Sequence, residues 1–467
     1  MFFAALFAAT LALRLCHSRI LWADEDYHIA SGLQTLFGRM LYRDVWYDKP
    51  PLSAWIYAAI DAPRGWRLRL FGAIYVLAIC VALFRFARSI WSEREAMVAA
   101  GLAAFFLNFD LPASIIPLVP DYFLLLPHIV AVHCAWRGRA FSAGIWAGIG
   151  LLLNPKALFV LAVCGLMGMQ SLPWLLAGFA IPSGLMVAIL ASGGALRDYF
   201  RQVWFWGFAY AKNSPISDPS LNGIHRTLDW LGFHLALLLG AIAFWWNSRD
   251  RTAARLAMWT LVSFVGVALG MRFLPRYYFL ILPPLILAAA RGICLILENR
   301  VWRVRAALVI ALALAIPLVR FGPRYLFLAR DLIERRDTHW TDLNLDQDSQ
   351  AIARIIDVRK HAGDSIVIWG YRPGIVVYTR LPVGSRYWDS QPLTGIPADR
   401  PFAISESSMA PDWAASNRRE LASSEPTFIV RVGRSQGPGD YPELRDWMKR
   451  YEVIGRTDLS VVYRRLP

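Results

Sequence analysis

Two apolar runs, LALLLGAIAFWW (residues 235–246) and VIALALAIPLV (residues 309–319), decide the fold class of this sequence. Runs of this kind recur from the first residue to about residue 321, and the whole chain is 57% hydrophobic but only 18% charged. Soluble domains carry about 25% charged residues. Because a helix of about 20 apolar residues spans the hydrocarbon core of a bilayer, the sequence predicts a polytopic α-helical membrane protein.

The apolar segments hold about eleven candidate spans. They lie near residues 2–18, 66–88, 95–109, 115–136, 140–153, 156–170, 172–192, 229–247, 256–271, 277–296 and 304–321. Loops rich in arginine follow the second, fourth, eighth and tenth spans, and the positive-inside rule makes their side cytoplasmic. The sequence therefore predicts a transmembrane domain over residues 1–321, with the N-terminus inside and the loops 22–65 and 193–228 outside.

Residues 322–467 have the composition of a soluble protein. Four segments rich in valine and isoleucine are predicted strands, namely residues 365–370, 374–380, 427–432 and 460–465. Apolar residues at helical spacing predict a helix over residues 348–361, and a second helix is predicted over residues 441–451. This part of the chain is therefore predicted to be a soluble C-terminal α/β domain outside the cytoplasm.

Charge and cysteine content exclude several classes of protein. The formal net charge is +15, but the arginines are scattered between apolar spans, where they meet lipid headgroups. We therefore do not expect nucleic-acid binding. All five cysteines lie in apolar runs without CxxC spacing, so neither a disulfide framework nor a zinc site is predicted.

The loop at residues 22–65 carries the strongest functional signal. Three consecutive acids, Asp24-Glu25-Asp26, follow the first span, and such carboxylates can act as a base or bind a cation. Lys49 precedes the rigid pair Pro50-Pro51, which would present its ammonium from a stiff turn to a phosphate. Aromatic residues including Tyr27 and Tyr47 interleave these charges and indicate a packed structure. The alternative is a solvated connecting loop whose acids balance its bases.

Further candidates lie outside this loop. Asp121 opens the fourth span, where an ionisable group is a functional candidate or a helix cap; Asp110 is a weaker candidate of the same kind. Cations and aromatic groups predicted on the outer side are Lys156, His225, Arg272, Arg276 and Tyr277. Their alternative role is anchoring to lipid headgroups.

These motifs resemble those of the polyprenyl-phosphate-sugar-dependent glycosyltransferases of the GT-C superfamily. The resemblance is carried by Asp24-Glu25-Asp26-Tyr27, Lys49-Pro50-Pro51-Leu52, Asp121 and Arg276-Tyr277-Tyr278. The most similar groups by motif are the protein mannosyltransferase-like enzymes and the lipid A aminoarabinose transferases. The chain departs from the common family wording at Trp46-Tyr47-Asp48 and Asn154-Pro155, which bears on the sugar and the acceptor.

The resemblance implies a role for each matching residue. Asp24 would be the catalytic base and Asp121 a second acidic residue of the site. Lys49 would contact the phosphate of the lipid carrier, and Arg276 and Tyr277 would lie near the phosphate and sugar of the donor. Other expected substrate contacts are Glu25, Tyr27, Tyr47, Lys156, His225 and Arg272. If a divalent cation takes part, Asp24 and Asp121 are its expected ligands.

The reaction implied is transfer of a hexose or pentose, with inversion, from undecaprenyl or dolichyl phosphate to a lipid, glycan or protein. It would take place at the outer face of the plasma (inner) membrane. An alternative is a transporter or flippase of lipid-linked saccharides, which would favour ionisable residues in mid-bilayer and internal repeats. A non-catalytic envelope scaffold is the third alternative, and it leaves Lys49 and the acids unexplained.

Overall fold

The computed structural model describes residues 1–213, 216–298, 303–336, 341–397, 408–433 and 436–467. The first helices in chain order are α1 (Phe2–Leu15), α2 (Glu25–Leu36), α3 (Leu52–Ala59), α4 (Gly65–Ile90), α5 (Glu93–Phe106), α6 (Pro112–Ile115), α7 (Pro120–Phe123), α8 (Leu125–Trp136), α9 (Ala140–Leu151), α10 (Ala157–Met167) and α11 (Leu172–Ser192). They continue with α12 (Leu196–Tyr199), α13 (Trp206–Lys212), α14 (Pro219–Phe233), α15 (Leu235–Asn247), α16 (Arg251–Ala268), α17 (Leu282–Glu298) and α18 (Arg303–Glu334).

The remaining helices are α19 (Thr341–Asp357), α20 (Gly374–Thr379), α21 (Gln391–Thr394), α22 (Pro411–Ala422) and α23 (Arg445–Met448). The strands are β1 (Ile366–Trp369), β2 (Phe428–Val432), β3 (Tyr451–Arg456) and β4 (Ser460–Arg465). The chain is thus mostly helical with a small C-terminal sheet, as the sequence predicted.

The chain divides into two compact units. The first, called the helical unit here, comprises Met1–Arg19, Arg64–Met186 and Ser214–Thr338. The second, called the mixed unit, comprises Ile20–Pro63, Val187–Asn213 and His339–Pro467. The predicted domains, residues 1–321 and 322–467, stay a prediction.

Apolar helices dominate the helical unit. In the described residues, three helices are long and apolar enough to cross a membrane: Gly65–Ile90, the helical stretch Met169–Ser192 that includes α11, and Arg303–Glu334. The pair α14 and α15 qualifies jointly, although its two helices meet at 89°. Helices lie over the other predicted spans as well, but they are shorter, and the count of eleven spans stays a prediction.

Small residues set how closely these helices pack. A Cβ atom on Gly292 of α17 would collide with the carbonyl oxygen of Gly240 in α15. The same holds for Gly144 of α9 against Leu175 of α11. Glycine at such positions lets two backbones touch, which is the usual basis of helix association inside membranes.

The mixed unit is built on a four-stranded sheet of order β1-β2-β4-β3. Strands β1 and β2 are parallel, pairing Ile366 with Phe428, and the other neighbours are antiparallel. The sheet is covered by α19, whose Ile352 and Ile356 are buried. The predicted strands at residues 365–370, 427–432 and 460–465 and the helix at 348–361 are confirmed; β3 was not predicted.

Two local predictions in this unit are wrong. Residues 374–379 form helix α20 rather than a strand, because Pro373 begins the helix and Arg380 ends it in a left-handed conformation with φ of 52°. The strand preference of the valines in this segment is weaker than the effect of the buried contacts around it. The helix predicted over residues 441–451 is reduced to α23 and a preceding short 3₁₀ helix, and Tyr451 already belongs to β3.

Candidate active site

Asp24 lies at the start of α2 in a backbone conformation that few residues adopt. Its φ is 69° and ψ is −40°, a region that costs a residue other than glycine about 1–3 kcal/mol. Asp24 is partly exposed, whereas Glu25 and Asp26 behind it are buried in α2. The first turn of the helix therefore presents one carboxylate of the three outward and holds it at some conformational cost.

Asp26 ties α2 to the C-terminal part of the mixed unit. Its Oδ2 accepts a hydrogen bond of 2.8 Å from the backbone N–H of Gly374, the first residue of α20. Burial raises the pKa of Asp26 to about 8, and the negative charge of Asp24 adds to this effect. At neutral pH Asp26 is therefore mainly protonated.

Lys49 is held beside a carboxylate on a stiff turn. Its Nζ lies 2.7 Å from Oδ2 of Asp48, and the Lys49 side chain is 44% exposed while that of Asp48 is 9% exposed. Tyr42 donates a hydrogen bond of 2.8 Å to the Lys49 carbonyl oxygen. Pro50 and Pro51 follow and lead into α3. The ammonium can thus reach an incoming anion while its backbone stays fixed.

An aromatic stack supports these charges. The ring of Tyr27 is stacked on Tyr47 at 5.3 Å and on Trp388 at 5.6 Å. The Tyr27 hydroxyl accepts a hydrogen bond of 3.2 Å from the Asp48 backbone N–H. His28 Nδ1 and the Tyr47 hydroxyl lie 2.6 Å apart. The predicted packed structure of the 22–65 segment is confirmed, and α2 and α3 lie within what the sequence presented as a loop.

The C-terminal residues contribute to the same cluster. Burial raises the pKa of Tyr371 well above its usual value, and four carboxylates near its hydroxyl raise it further. These are Asp24, Asp48, Asp26 and Asp389. The group formed by these four acids, Lys49 and Tyr371 is called the acid-rich site below.

Asp389 and Arg372 complete the surroundings of this site. The pKa of Asp389 is raised to about 8, mainly by burial. The negative charge of Asp48 contributes to this increase, and the positive charge of Lys49 opposes it. Arg372 is 7% exposed, and its charge acts on the Asp26 carboxylate. None of Tyr371, Arg372 and Asp389 was predicted. The sequence signal that could have pointed to Tyr371 and Arg372 is the segment GYRPG (370–374). It follows the carboxyl end of β1, which pairs in parallel with β2. Binding sites in α/β sheets commonly form at the carboxyl ends of parallel strands.

A second charged group lies in the helical unit. Lys156, in the turn between α9 and α10, places its Nζ 2.8 Å from Oδ1 of Asp121 and 2.9 Å from the centroid of the Tyr277 ring. The side chains of Lys156 and Asp121 are 14% and 19% exposed. Asp121 is thus an ion-pair partner rather than only a residue of the first helical turn. The three residues are called the paired site below.

The remaining predicted site residues lie in different surroundings. Arg276 donates from Nε and Nη2 to the carbonyl oxygen of Ala113, at 3.2 and 2.9 Å. Arg272 is 3% exposed, and His225 lies exposed on α14. Glu25 is fully buried, and its Oε1 accepts a hydrogen bond of 3.4 Å from Tyr57. The roles assigned to all these residues stay predictions.

Asp24 and Asp121 are the expected ligands if a divalent cation takes part. The described part of the chain contains no group of three or more histidine, cysteine, aspartate and glutamate side chains arranged to hold a metal ion. Asp24 is grouped with other acids of the mixed unit, and Asp121 is paired with Lys156. The expectation of a divalent cation stays a prediction.

Comparison with known proteins identifies the fold. No family model matches the chain, and no curated protein matches it by sequence. The structure is similar to ArnT from Cupriavidus metallidurans bound to undecaprenyl phosphate, with a TM-score of 0.61 and 14% identity over 99% of this chain and 97% of that one. It is also similar to the apo state of that protein, with a TM-score of 0.57 and 15% identity over 98% and 97% of the two chains.

The archaeal oligosaccharyltransferase AglB from Archaeoglobus fulgidus, in complex with an inhibitory peptide and a dolichol-phosphate, also matches. Its TM-score is 0.49 and its identity 12%, over 92% of this chain and 69% of that one. The nearly complete mutual coverage with ArnT extends from the helical unit through the C-terminal sheet. The chain therefore has the fold of ArnT over nearly its whole length, which is the fold that the resemblance in its motifs predicted.

Proposed function

We propose that this chain is an inverting glycosyltransferase that moves a hexose or pentose from a polyprenyl-phosphate carrier to a lipid, glycan or protein acceptor. The transfer would take place at the outer face of the plasma (inner) membrane, with residues 322–467 on that side. The observation that carries the proposal is the acid-rich site, where a partly exposed Asp24 and Asp48 both act on Tyr371 and Asp48 also holds Lys49. The fold shared with ArnT, a protein solved with undecaprenyl phosphate, supports it.

The carboxylates of the acid-rich site differ in environment, and this difference separates their roles. Asp26 and Asp389 are buried, and their pKa values are raised to about 8, so both are mainly neutral near pH 7. Asp24 is less buried and is held outward by the start of α2. A general base must be able to reach the proton that it takes, and Asp24 is partly exposed whereas Asp26 and Asp389 are buried. We assign Asp24 as the base.

The proposed chemical step is a direct displacement at the anomeric carbon of the donor sugar. The acceptor hydroxyl oxygen attacks the anomeric carbon while Asp24 takes its proton, and the bond from that carbon to the phosphate oxygen breaks on the opposite face. The bonding electrons leave with the phosphate, and the configuration at the anomeric carbon inverts because attack and departure take place on opposite faces. A carboxylate-rich site favours the positive charge that develops on the sugar ring in such reactions.

The leaving phosphate requires a cation rather than an acid because it departs as an anion. Lys49 supplies this charge by exchanging part of its contact with Asp48 for a phosphate oxygen. In the helical unit, Lys156 and Tyr277 are proposed to contact the donor headgroup, with Asp121 holding Lys156 in place. The prolines after Lys49 limit the backbone motion that this exchange could cause.

The test is transfer in reconstituted vesicles. Purified protein is incubated with undecaprenyl-phosphate-linked hexoses and pentoses and with envelope glycolipid as acceptor, and the release of undecaprenyl phosphate is followed by mass spectrometry. The proposal requires release that depends on the acceptor. Movement of the lipid-linked sugar across the bilayer, without release, would instead support the flippase alternative and overturn the proposal.

A further inference from the structure

A buried acid and a buried histidine meet at the corner between α14 and α15. His234 is the residue between these helices, which lie at 89° to each other, and it is 2% exposed. Its Nε2 lies 3.8 Å from Oδ2 of Asp110, which is 6% exposed. Ionisable groups buried in a membrane unit are costly and are functional candidates for that reason. Neither residue belongs to the paired site.

The hydrogen bonds around His234 determine how it can interact with Asp110. His234 Nδ1 lies 2.9 Å from the carbonyl oxygen of Trp230, and because a carbonyl can only accept, Nδ1 carries a proton. The remaining nitrogen, Nε2, then carries no proton of its own in the neutral ring. It is attracted to the Asp110 carboxylate only when one further proton lies between the two groups. Asp110 is itself held, since its Oδ1 accepts a hydrogen bond of 2.6 Å from the Leu111 N–H. Each residue of the pair, called the clamp below, is thus held at the corner by a backbone group of its own.

The corner is connected to the paired site through stacked rings. The His234 ring is stacked on Trp230 at 4.0 Å with a 16° angle, and Trp230 is stacked on Tyr278 at 5.1 Å with a 14° angle. The Tyr278 hydroxyl lies 2.8 Å from Oγ1 of Thr227 in α14. Tyr278 directly follows Tyr277, and both belong to the short 3₁₀ helix Pro275–Leu280. Every link from Asp110 to the Tyr277 ring is thus a direct contact or a chain neighbour.

We propose that Asp110 and His234 are positioning residues for the paired site. They fix α14 at the corner, α14 fixes Tyr278 by stacking and a hydrogen bond, and the 3₁₀ helix then places the Tyr277 ring against the Lys156 ammonium. The proposal rests on the proposed function in one respect, that Lys156 and Tyr277 contact the donor headgroup. Loss of the clamp should weaken donor binding and leave kcat largely unchanged.

Two substitutions of the histidine separate its two nitrogens. His234→Asn keeps an N–H near the position of Nδ1, facing Trp230, and loses the contact with Asp110. His234→Gln places an N–H near the position of Nε2 and keeps that contact. Asp110→Ala removes the contact from the other side. His133→Asn is the matched control, because His133 is also a stacked histidine of the helical unit, on Phe86 at 4.7 Å.

The measurement is steady-state transfer at varied donor concentration, with thermal unfolding as a check of folding. We expect His234→Asn and Asp110→Ala to raise the donor KM about fivefold to tenfold and to leave kcat within about twofold of wild type. This pattern indicates the loss of an interaction that binds the ground state and the transition state equally. His234→Gln should restore a KM within about twofold of wild type, and His133→Asn should match wild type. A fall in kcat alone, or equal effects of the asparagine and glutamine variants, would overturn the proposal.

Failure of the proposed function gives a different result. If the wild-type protein transfers no sugar and native mass spectrometry detects no binding of undecaprenyl phosphate, the function is wrong. If the wild type is active and His234→Asn has an unchanged donor KM while folding normally, the function stands and only the positioning role is wrong.

Discussion

The acid-rich site and the paired site balance their charges in opposite ways. In the mixed unit, four carboxylates act on Tyr371, one of them is paired with Lys49, and two others are kept mainly neutral by burial. In the helical unit, one acid and one lysine neutralise each other against an aromatic ring. An excess of acid near a strained Asp24 suits proton transfer and a cationic transition state, whereas a balanced pair suits binding. The comparison predicts that substitutions in the first site reduce kcat and those in the second affect stability and KM.

The largest effect is expected at Asp24. Asp24→Asn keeps the shape of the side chain and removes the base, so we expect kcat to fall about 10³-fold, within the range of general base catalysis. The measurement is sugar transfer by the purified variant in vesicles. The control is Asp446→Asn, since Asp446 is an exposed acid of the same unit paired with Lys449. Full activity of Asp24→Asn would show that the base is another residue.

Lys49 should give the next largest effect. Lys49→Gln removes the cation that meets the leaving phosphate, and we expect kcat/KM to fall about 10²-fold, as for other groups that stabilise developing charge. Lys449→Gln is the matched control because it removes an exposed lysine of the mixed unit that is also paired with an aspartate. If the two variants have equal activity, Lys49 does not contact the phosphate.

The sequence predicted the parts of this comparison that depend on local pattern. Apolar run length predicted the apolar helices of the helical unit, because a helix needs about 20 such residues to span a bilayer. Asp24, Lys49 and Asp121 were found because charged residues next to apolar spans are rare enough to be noticed. The pairing of Asp121 with Lys156 was not predicted as a contact, since 35 residues separate the two and only the packing of the helices brings them together.

The C-terminal half of the acid-rich site could not be predicted in the same way. Tyr371 and Asp389 are ordinary residues of a soluble domain by composition, and their significance comes from contacts with residues near 24 and 48. The wrong strand at 374–380 had the same cause. Its valines favour a strand locally, but the buried helix α20 places the Gly374 N–H on Asp26. Tertiary contacts decide such short segments, and a single sequence does not display them.

The paired site can be tested as an ion pair through stability. Asp121→Asn or Lys156→Met alone should lower the free energy of unfolding by about 2–3 kcal/mol, because each leaves a mostly buried charge without its partner. The double variant should be more stable than either single variant, since replacing both charges removes that penalty. Thermal unfolding in detergent of all four proteins measures this. Additive losses in the double variant would mean that the two residues do not stabilise each other.

The smallest effect concerns the pH dependence of the mixed unit. The pKa of Asp389 is raised to about 8 by burial, from a value near 4 in an unfolded chain. The folded state therefore favours the protonated carboxyl. The stability that Asp389 contributes to the folded state is fully present below about pH 4 and is lost as pH rises through about 8. Asp389→Asn cannot ionise, so its stability relative to wild type should increase over this window, by at least about 1 kcal/mol at pH 8.5. Unfolding midpoints of the two proteins between pH 5 and 8.5 measure the difference, and parallel curves would show that burial does not hold the proton on Asp389.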